Sequence, residues 1–468
     1  MRRAIRRAWL LSVFLLTGCA VGPNYHRPAV TTPPQFRGAP GAPVSPLSIT
    51  DTQWFDLFHD EKLAELVRTA LAQNYDVRIA SARVLEARAQ LGITRSQIFP
   101  TVNGAASFSA IRPSSVGSST FIPKGSDLSA SYHQVGFTLG WELDVWGRIR
   151  RLTEAARAQY LATQEGRRGV VTTLVADVSS SYFDLREADL ELAIANKTLE
   201  DAQNGLRLTT LRQKGGTATG LDVRQAEQFL YTATSQIAEA QRQIEQSENL
   251  LSLLLARNPG SIARGKALQD LTPPPDIPAG MPSALLERRP DIRQAEQNLI
   301  AANANIGAAK AQYFPQIDLT GLLGAQSRGL TSLFTGSARD WNFVPGVTIP
   351  IFNAGRIRNG VRLTEAQRQE ALASYEKAIQ TSFREVSDSL VGYRRTAEQR
   401  AQQELFVKAL RDSVRLSNLR YRGGLDSYLP VLDADRNLFQ GELQLARLKR
   451  DELVSVVNLY RALGGGWQ

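Results

Sequence analysis

The 468-residue chain contains one cysteine, Cys19, and only three histidines, His26, His59 and His133, far apart along it. A single cysteine excludes an intrachain disulfide and any cysteine-based metal cluster. Dispersed histidines assemble neither a metal site nor a catalytic triad, so the sequence points to no metal, no cofactor and no enzymatic chemistry. After the N-terminal segment no apolar run approaches the ~20 residues that a membrane helix needs. A chain like this crosses a membrane with strands or not at all. Basic residues outnumber acidic ones, giving a formal charge of +10. The pairs Arg150-Arg151, Arg167-Arg168 and Arg394-Arg395 nevertheless lie among acidic neighbours and read as solvated helix faces, not as a nucleic-acid patch. "GSIARGKA" (260–267) approaches a phosphate-binding loop, but Ala267 stands where Ser or Thr would hold magnesium, and an Asn-Pro turn precedes it instead of a strand.

The N-terminus sets the expected compartment. Arg2, Arg3, Arg6 and Arg7 precede an apolar run from Ala8 to Leu16, the pattern of a secretory signal over residues 1–18. Leu16-Thr17-Gly18-Cys19 resembles the lipobox of bacterial lipoproteins, which implies cleavage before Cys19 and acylation of its sulfur. Loss of the four arginines would lower the formal charge from +10 to +6. Ala20 follows, not Asp, which by the same resemblance favours the outer membrane. Residues 19–50 carry seven prolines and read as an extended tether.

Beyond residue 50 the chain reads as two copies of one unit, 51–257 and 283–468, joined by a Pro/Gly-rich linker over 258–282. "LGITRSQIFP" (91–100) recurs as "IGAAKAQYFP" (306–315), and "GRIR" at 147–150 recurs at 355–358. "KGGTATGLDVRQAE" (214–227) matches "RGGLDSYLPVLDAD" (422–435), at the same offset of 208 residues as "GRIR". Each copy has an Ala-rich helix ending at Phe-Pro, two alternating segments, a long helix, a Gly-Gly turn and a returning helix. The long helices are expected over 147–214 and 355–422, and the returning helices over 221–257 and 427–463. Helices over 61–98 and 283–312 complete the two copies. The lengths match: 68 residues for each long helix, against 37 plus 30 for the stacked pair 221–257 and 283–312. A wall of constant height would require this.

The alternating segments are 101–111 and 132–144 in a first hairpin (101–144), and 316–326 and 341–351 in a second (316–351). Val135, Phe137, Leu139, Trp141 and Leu143 take every second position, the period of a strand with one apolar face. Each segment is about the 9–11 residues that a tilted strand needs to cross a bilayer. Lipid tolerates no open sheet edge, and four strands cannot close a barrel, so the chain must oligomerise. Three copies supply twelve strands, which at ~4.8 Å spacing and ~40° tilt give a backbone diameter of roughly 24 Å and an aqueous lumen. Thr101, Asn103, Ser107, Ser109, Gln316, Asp318 and Thr320 suit the wet side. Trp141 and Trp146 suit an interfacial girdle. The second strand of each hairpin would then leave the membrane and continue as a helix. The expected fold class is an α+β membrane protein with an internal two-fold repeat: a trimeric twelve-stranded β-barrel, four strands per chain, continuing into a twelve-helix periplasmic barrel.

"CAVGPNYHRP" (19–28), "WFDLFHDEKLAELVRTALAQNYDVRIA" from Trp54, "LLERRPDIRQAE" (285–296), "PIFNAGRIR" and "LYRALGGGW" together resemble the TolC-type outer-membrane factors, most closely the OprM/NodT-like lipoprotein branch. The resemblance covers essentially the whole mature chain. It implies a homotrimer in the bacterial outer membrane, lipid-anchored at Cys19 and extending into the periplasm. It also implies docking to a periplasmic adaptor (membrane fusion) protein and an inner-membrane RND-type pump. The Gly-Gly turns, Gly215-Gly216 and Gly423-Gly424, would form the periplasmic tips. Leu429 and Asp433, four apart on one helix face, match the family's narrowest rings, one apolar and one acidic. Read without the family, Asp433 is a solvated acid favoured by a helix N-terminus. Tyr421 and Asp222 match positions that tie neighbouring helices in the closed state. Pro430 departs from TolC, which has a second acidic ring there.

The leading functional expectation is a passive exit duct for drugs or other small toxic solutes in a tripartite pump. A duct for type I protein secretion or metal efflux shares the fold. A periplasmic helical scaffold lipoprotein is the alternative without a pore, and four amphipathic strands argue against it.

Overall fold

The computed structural model describes residues 20–37, 48–51, 57–112, 129–271, 273 and 280–466. The expected signal peptide (1–18), Cys19, part of the tether and part of the linker lie outside the described residues. The chain divides into two compact units.

The first unit contains residues up to Pro28, Leu85–Ala162 and Glu296–Ser374. Its centre is one antiparallel sheet in the order β1-β2-β3-β4: β1 Thr101–Ile111, β2 Ala130–Glu142, β3 Gln316–Ser327 and β4 Arg339–Thr348. The two hairpins, far apart in sequence, join through β2 and β3. Directly opposed residues share a face of a sheet, and the register sorts the side chains cleanly. Val102, Leu139, Gly321 and Phe343 form one row; Phe137, Leu323 and Trp341 form another; Trp141, Leu319 and Pro345 a third. On the opposite face run Asn103, Thr138, Leu322 and Asn342, then Ser107, Gln134 and Gln326, then Glu142, Asp318 and Gly346. The apolar face is bare in a single protomer: Phe137, Leu323 and Trp341 are 62%, 66% and 74% exposed. Within the chain the outer edges of β1 and β4 have no partner strand among the described residues.

β4 stops at Thr348, although Ile349 and Ile351 continue the alternation expected to 351. Its pairing partner ends at Gln316, opposite Thr348, and Pro315 precedes it. Likewise β2 begins two residues earlier than expected and ends at Glu142, not Asp144. Asp144 instead caps the following helix, accepting from the backbone N–H groups of Ile149 and Arg150 at 2.9 Å each. Arg148 folds back onto Glu142 at 2.6 Å. A strand therefore passes into a helix across a five-residue corner whose backbone donors and charges are satisfied locally.

Trp141 and Trp146 hold that corner. The Trp141 indole N–H donates to the Ile98 carbonyl and that of Trp146 to the Pro315 carbonyl, both at 2.8 Å. These carbonyls lie at the matching Phe-Pro ends of the two repeats, and Trp146 stacks on Phe314 at 4.8 Å. The expected free tether is pinned here. Val21 N–H donates to the Trp146 carbonyl at 3.0 Å. Arg151, buried, donates to Val21, Gly22 and the Asn24 side chain. Arg27 is paired with Glu296 at 2.6 Å. A methyl group on Gly147 would fall 2.8 Å from the Cα of Ala20, so glycine is required for close approach there as well as for its φ of 79°.

The second unit contains Ala29–Val84, Thr163–Ala295 and Tyr375–Gln468. The helix expected over 61–98 is two helices, α1 Glu61–Gln73 and α2 Tyr75–Ser96. Asn74 interrupts them: its side chain accepts from Asp76 and Val77 N–H and donates to the Leu254 carbonyl at 2.9 Å. The helix expected over 283–312 is also divided, into α5 Leu285–Arg288 and α6 Pro290–Ala311, with Pro290 opening the second. The long helices are α3 Arg148–Lys214 and α7 Arg356–Arg422, and the returning ones are α4 Gly220–Leu254 and α8 Leu429–Ala462. Leu174, Val175, Val178, Tyr182 and Leu185 of α3 pack with Leu63 and Val67 of α1, Leu251 of α4, and Leu453 and Val457 of α8 in one core. Asp60 organises its edge. It caps α1 through Lys62 and Leu63 N–H and accepts from the Tyr182 hydroxyl and Lys266 N–H at 3.0 Å.

The duplication reaches the backbone angles. Positive φ occurs at Gly147 and Gly355, at Gly216 and Gly424, and at Ala256 and Gly464, each pair 208 residues apart.

Candidate functional site: the helix turns and the cavity beside them

Both long helices end in the same glycine cap. Gly215 N–H bonds to Leu211, Gly216 to Gln213 and Thr217 to Arg212; Gly423, Gly424 and Leu425 repeat this with Leu419, Tyr421 and Arg420. The left-handed residue is Gly216 in one and Gly424 in the other, and the pattern satisfies the last carbonyls of each helix. After the first turn, Thr219 and Asp222 form a reciprocal capping box that starts α4. Arg212 links the two turns. Its guanidinium lies over the Tyr421 ring at 4.1 Å and donates to the Arg422 carbonyl at 3.3 Å.

Leu429 and Asp433 share the exposed face of the first turns of α8; Leu429 is 54% exposed, and Asp433 accepts from the Asn437 amide. Tyr421 and Asp222 are not brought together within one protomer. Asp222, as the third helical residue, turns its carboxylate back to the Thr219 N–H and hydroxyl, both at 2.8 Å. Tyr421 is 4% exposed, and its hydroxyl has no hydrogen-bond partner among the described residues.

A cavity of about 840 Å³ adjoins the second turn, walled by α3, α7 and α8, with Phe229 of α4. Tyr421, Tyr428 and Phe439 supply aromatic surface, and Asp201 and Asp435 supply carboxylates. Sequence reasoning singled out Asp433 and passed over Asp435. The signal was present: Val431, Asp435, Phe439 and Leu443 are spaced by four, which places an acid on the apolar stripe of α8. Burial, with Asp201 nearby, pushes the Asp435 carboxyl up to about 7. Burial also pushes the Tyr428 hydroxyl up to about 12, with Asp435 and Tyr421 adding to the effect. Further along, α8 is held between the long helices by ion pairs. Arg447 meets Glu191 at 3.1 Å and Arg450 meets Glu187 at 2.9 Å on α3. Arg411 meets Glu442 at 2.7 Å and Arg400 meets Glu452 at 2.5 Å on the α7 side. Among the described residues no helix is long and apolar enough to cross a membrane, and no group of three or more His, Cys, Asp or Glu could hold a metal ion.

A sheet with one lipid-compatible face and one polar face, whose second strand runs directly into a long helix, defines a channel-forming outer-membrane protein. The chain belongs to the outer membrane efflux protein family, whose sequence pattern matches residues 66–257 and 281–465. It is 36% identical to the cation efflux system protein CusC of Escherichia coli over 455 residues, 97% of each chain. It is 37% identical to the toluene efflux pump outer membrane protein TtgC of Pseudomonas putida over 461 residues, 98% of this chain and 94% of that one. The outer-membrane channel OprN superposes with a TM-score of 0.89 at 29% identity, covering 96% of this chain and 100% of OprN. The open-state Neisseria gonorrhoeae MtrE outer membrane channel superposes at 0.85 with 30% identity, covering 96% and 99%. The expected fold class and the expectation of an outer-membrane efflux channel are both borne out, and the family is one of transport channels.

Proposed function

We propose that three copies of this chain close a twelve-stranded barrel and conduct solutes passively from periplasm to exterior, catalysing no reaction. The observation that carries the reading is the register-aligned apolar face of the sheet together with its two unpaired edges. Unpaired backbone groups in lipid cost several kcal/mol each, so an inserted sheet must close, and one chain supplies too few strands to do so. Cys19 carries the lipid anchor. Residues 51–257 and 283–468 act as two repeats that supply alternate sections of the wall.

The glycine turns Gly215-Gly216 and Gly423-Gly424 form the periplasmic tip. Leu429 and Asp433, exposed on one face of each protomer, come together around the axis as an apolar ring beside an acidic one. Tyr421 and Asp222 tie adjacent protomers when the tip is shut. A periplasmic adaptor and an inner-membrane RND-type pump complete the machine and supply both energy and cargo. Cargo is small and toxic, drugs or solvents in the leading reading. The CusC name attaches the same architecture to cations and the TtgC name to toluene, so the partner pump, not this fold, sets the cargo.

The test is purification in mild detergent, followed by sedimentation and single-channel recording in a planar bilayer. A trimer that conducts is expected. A stable monomer, or a trimer with no conductance even after the tip is widened by Leu429→Ala, would overturn the reading.

A further inference from the structure

We propose that the cavity beside the second glycine turn is a proton-operated latch, in which Asp435, facing Asp201, decides whether the first turns of α8 stay packed against α3.

Three observations converge on it. The helices α3, α7 and α8 leave a drug-sized space here, beside a cluster of interlocked aromatic and aliphatic side chains. Asp435 sits on the apolar stripe of α8 within it and has no hydrogen-bond or ion-pair partner among the described residues. Tyr421, 96% buried, lines the same cavity with its hydroxyl unpartnered. One cavity thus holds a buried donor without an acceptor and an acid without a donor among the described residues.

The charges around Asp435 do not neutralise it. On α3, Lys197 is engaged with Asp201 at 3.9 Å, and Arg207 is exposed. On α7, Arg411 is held by Glu442 of α8 and Arg415 by Asp412, while Arg422 is exposed. Arg436 of α8 is exposed, burial pushes the Tyr428 hydroxyl up to about 12, and α4 contributes only Phe229 to the cavity. The charge that acts on Asp435 is the like charge of Asp201.

The sign follows from the direction of the shift. Because the packed state raises the carboxyl to about 7, that state binds a proton which a loosened α8 would release. The packing is therefore fully supported only below the ordinary carboxyl value of 3.8, loses support steadily as pH rises from there to about 7, and changes no further above it. An ionised Asp435 is driven away from Asp201, and that movement displaces α8 at the turn that carries Leu429 and Asp433. The consequence for gating rests on the proposed channel function; the packing change does not.

The test is amide hydrogen exchange across residues 429–443 of the full-length protein between pH 4 and pH 9, corrected for intrinsic rates. Protection of this segment should fall by roughly tenfold per pH unit between about pH 4 and pH 7, the slope of a single titrating group, and level off above 7. Asp435→Asn, isosteric and always neutral, should remove the slope and keep the protection seen at pH 4. Asp201→Asn should end the fall at a lower pH and so make it smaller overall, and carries the same test if Asp435→Asn does not assemble. Glu187→Gln is the control. Burial also pushes Glu187 up to about 7 on the α3–α8 seam, but Arg450 is ion-paired with it at 2.9 Å, and the slope over 429–443 should persist. A wild-type profile that is flat across this range, or a slope unchanged in Asp435→Asn, overturns the latch. Because exchange is read without ion flow, a protein that fails to conduct would count against the channel reading and leave this result standing.

Discussion

Gly136 and Gly324 face each other across the β2–β3 seam so closely that a methyl group on either would lie 2.8 Å from the other's Cα. The same added carbon would stand 2.7 Å from the Leu323 carbonyl oxygen on one side, with the Val135 carbonyl as its counterpart on the other. These neighbours are backbone, so no rotamer change relieves the contact.

Gly136→Val or Gly324→Val is therefore expected to part the seam that joins the two hairpins, at roughly 1–3 kcal/mol of overpacking. The heat-resistant oligomer on unboiled gels measures it. An undiminished oligomer band in both variants would show that the seam has room.

At the tip, Leu429→Ala should widen the apolar ring and raise single-channel conductance and vancomycin sensitivity. Tyr421→Phe should raise conductance more modestly if the hydroxyl, which lacks a partner among the described residues, is tied across the subunit boundary as proposed. If Tyr421→Phe instead leaves conductance unchanged and raises thermal stability, the hydroxyl is unpaired in the assembly too, and removing it has relieved a burial cost of about 1–3 kcal/mol.

Asp60→Ala should destabilise the second unit by about 3 kcal/mol. It removes the cap of α1 and leaves the buried Tyr182 hydroxyl and the Lys266 N–H without their acceptor. Thermal unfolding measures the loss, and exchange should locate it in α1 and around residue 265. A change below about 1 kcal/mol would mean that water replaces the carboxylate.

Cys19→Ser should abolish lipid labelling while much of the protein still inserts through its strands. Arg151→Ala should free the segment 20–28, which has three of its contacts from that guanidinium. Limited proteolysis in this segment should then accelerate at least tenfold, with the sheet intact. Release of folded Cys19→Ser protein into the periplasm would refute insertion by the strands.

Elements that repeat a period over many residues were legible in the sequence; single-residue interruptions were not. The sheet followed from alternation because register and burial enforce the same two-residue rhythm. Its limits did not, since β4 ends where β3 has no more residues to pair, a fact about the partner strand. The breaks at Asn74 and Arg289 escaped because the apolar stripe continues through both. The clues were local chemistry: an amide that caps the next helix, and a proline at its first position. At the tip, Leu429 and Asp433 were reached through the family. Asp435 could have been found from spacing alone, because an acid within an apolar stripe must be either buried or strained. Tyr421's unpaired hydroxyl depends on what surrounds it in three dimensions, and no sequence pattern encodes that.

The pinning of Ala20 against Gly147 changes what an acyl group on Cys19 would do. Adjacent Cα atoms are about 3.8 Å apart, so the modified sulfur has one peptide of slack from the corner where β2 turns into α3. A long linker would let its lipid wander over the leaflet. One peptide cannot. A fatty chain attached there, as proposed, would act as a depth gauge for the height at which the sheet sits in the bilayer.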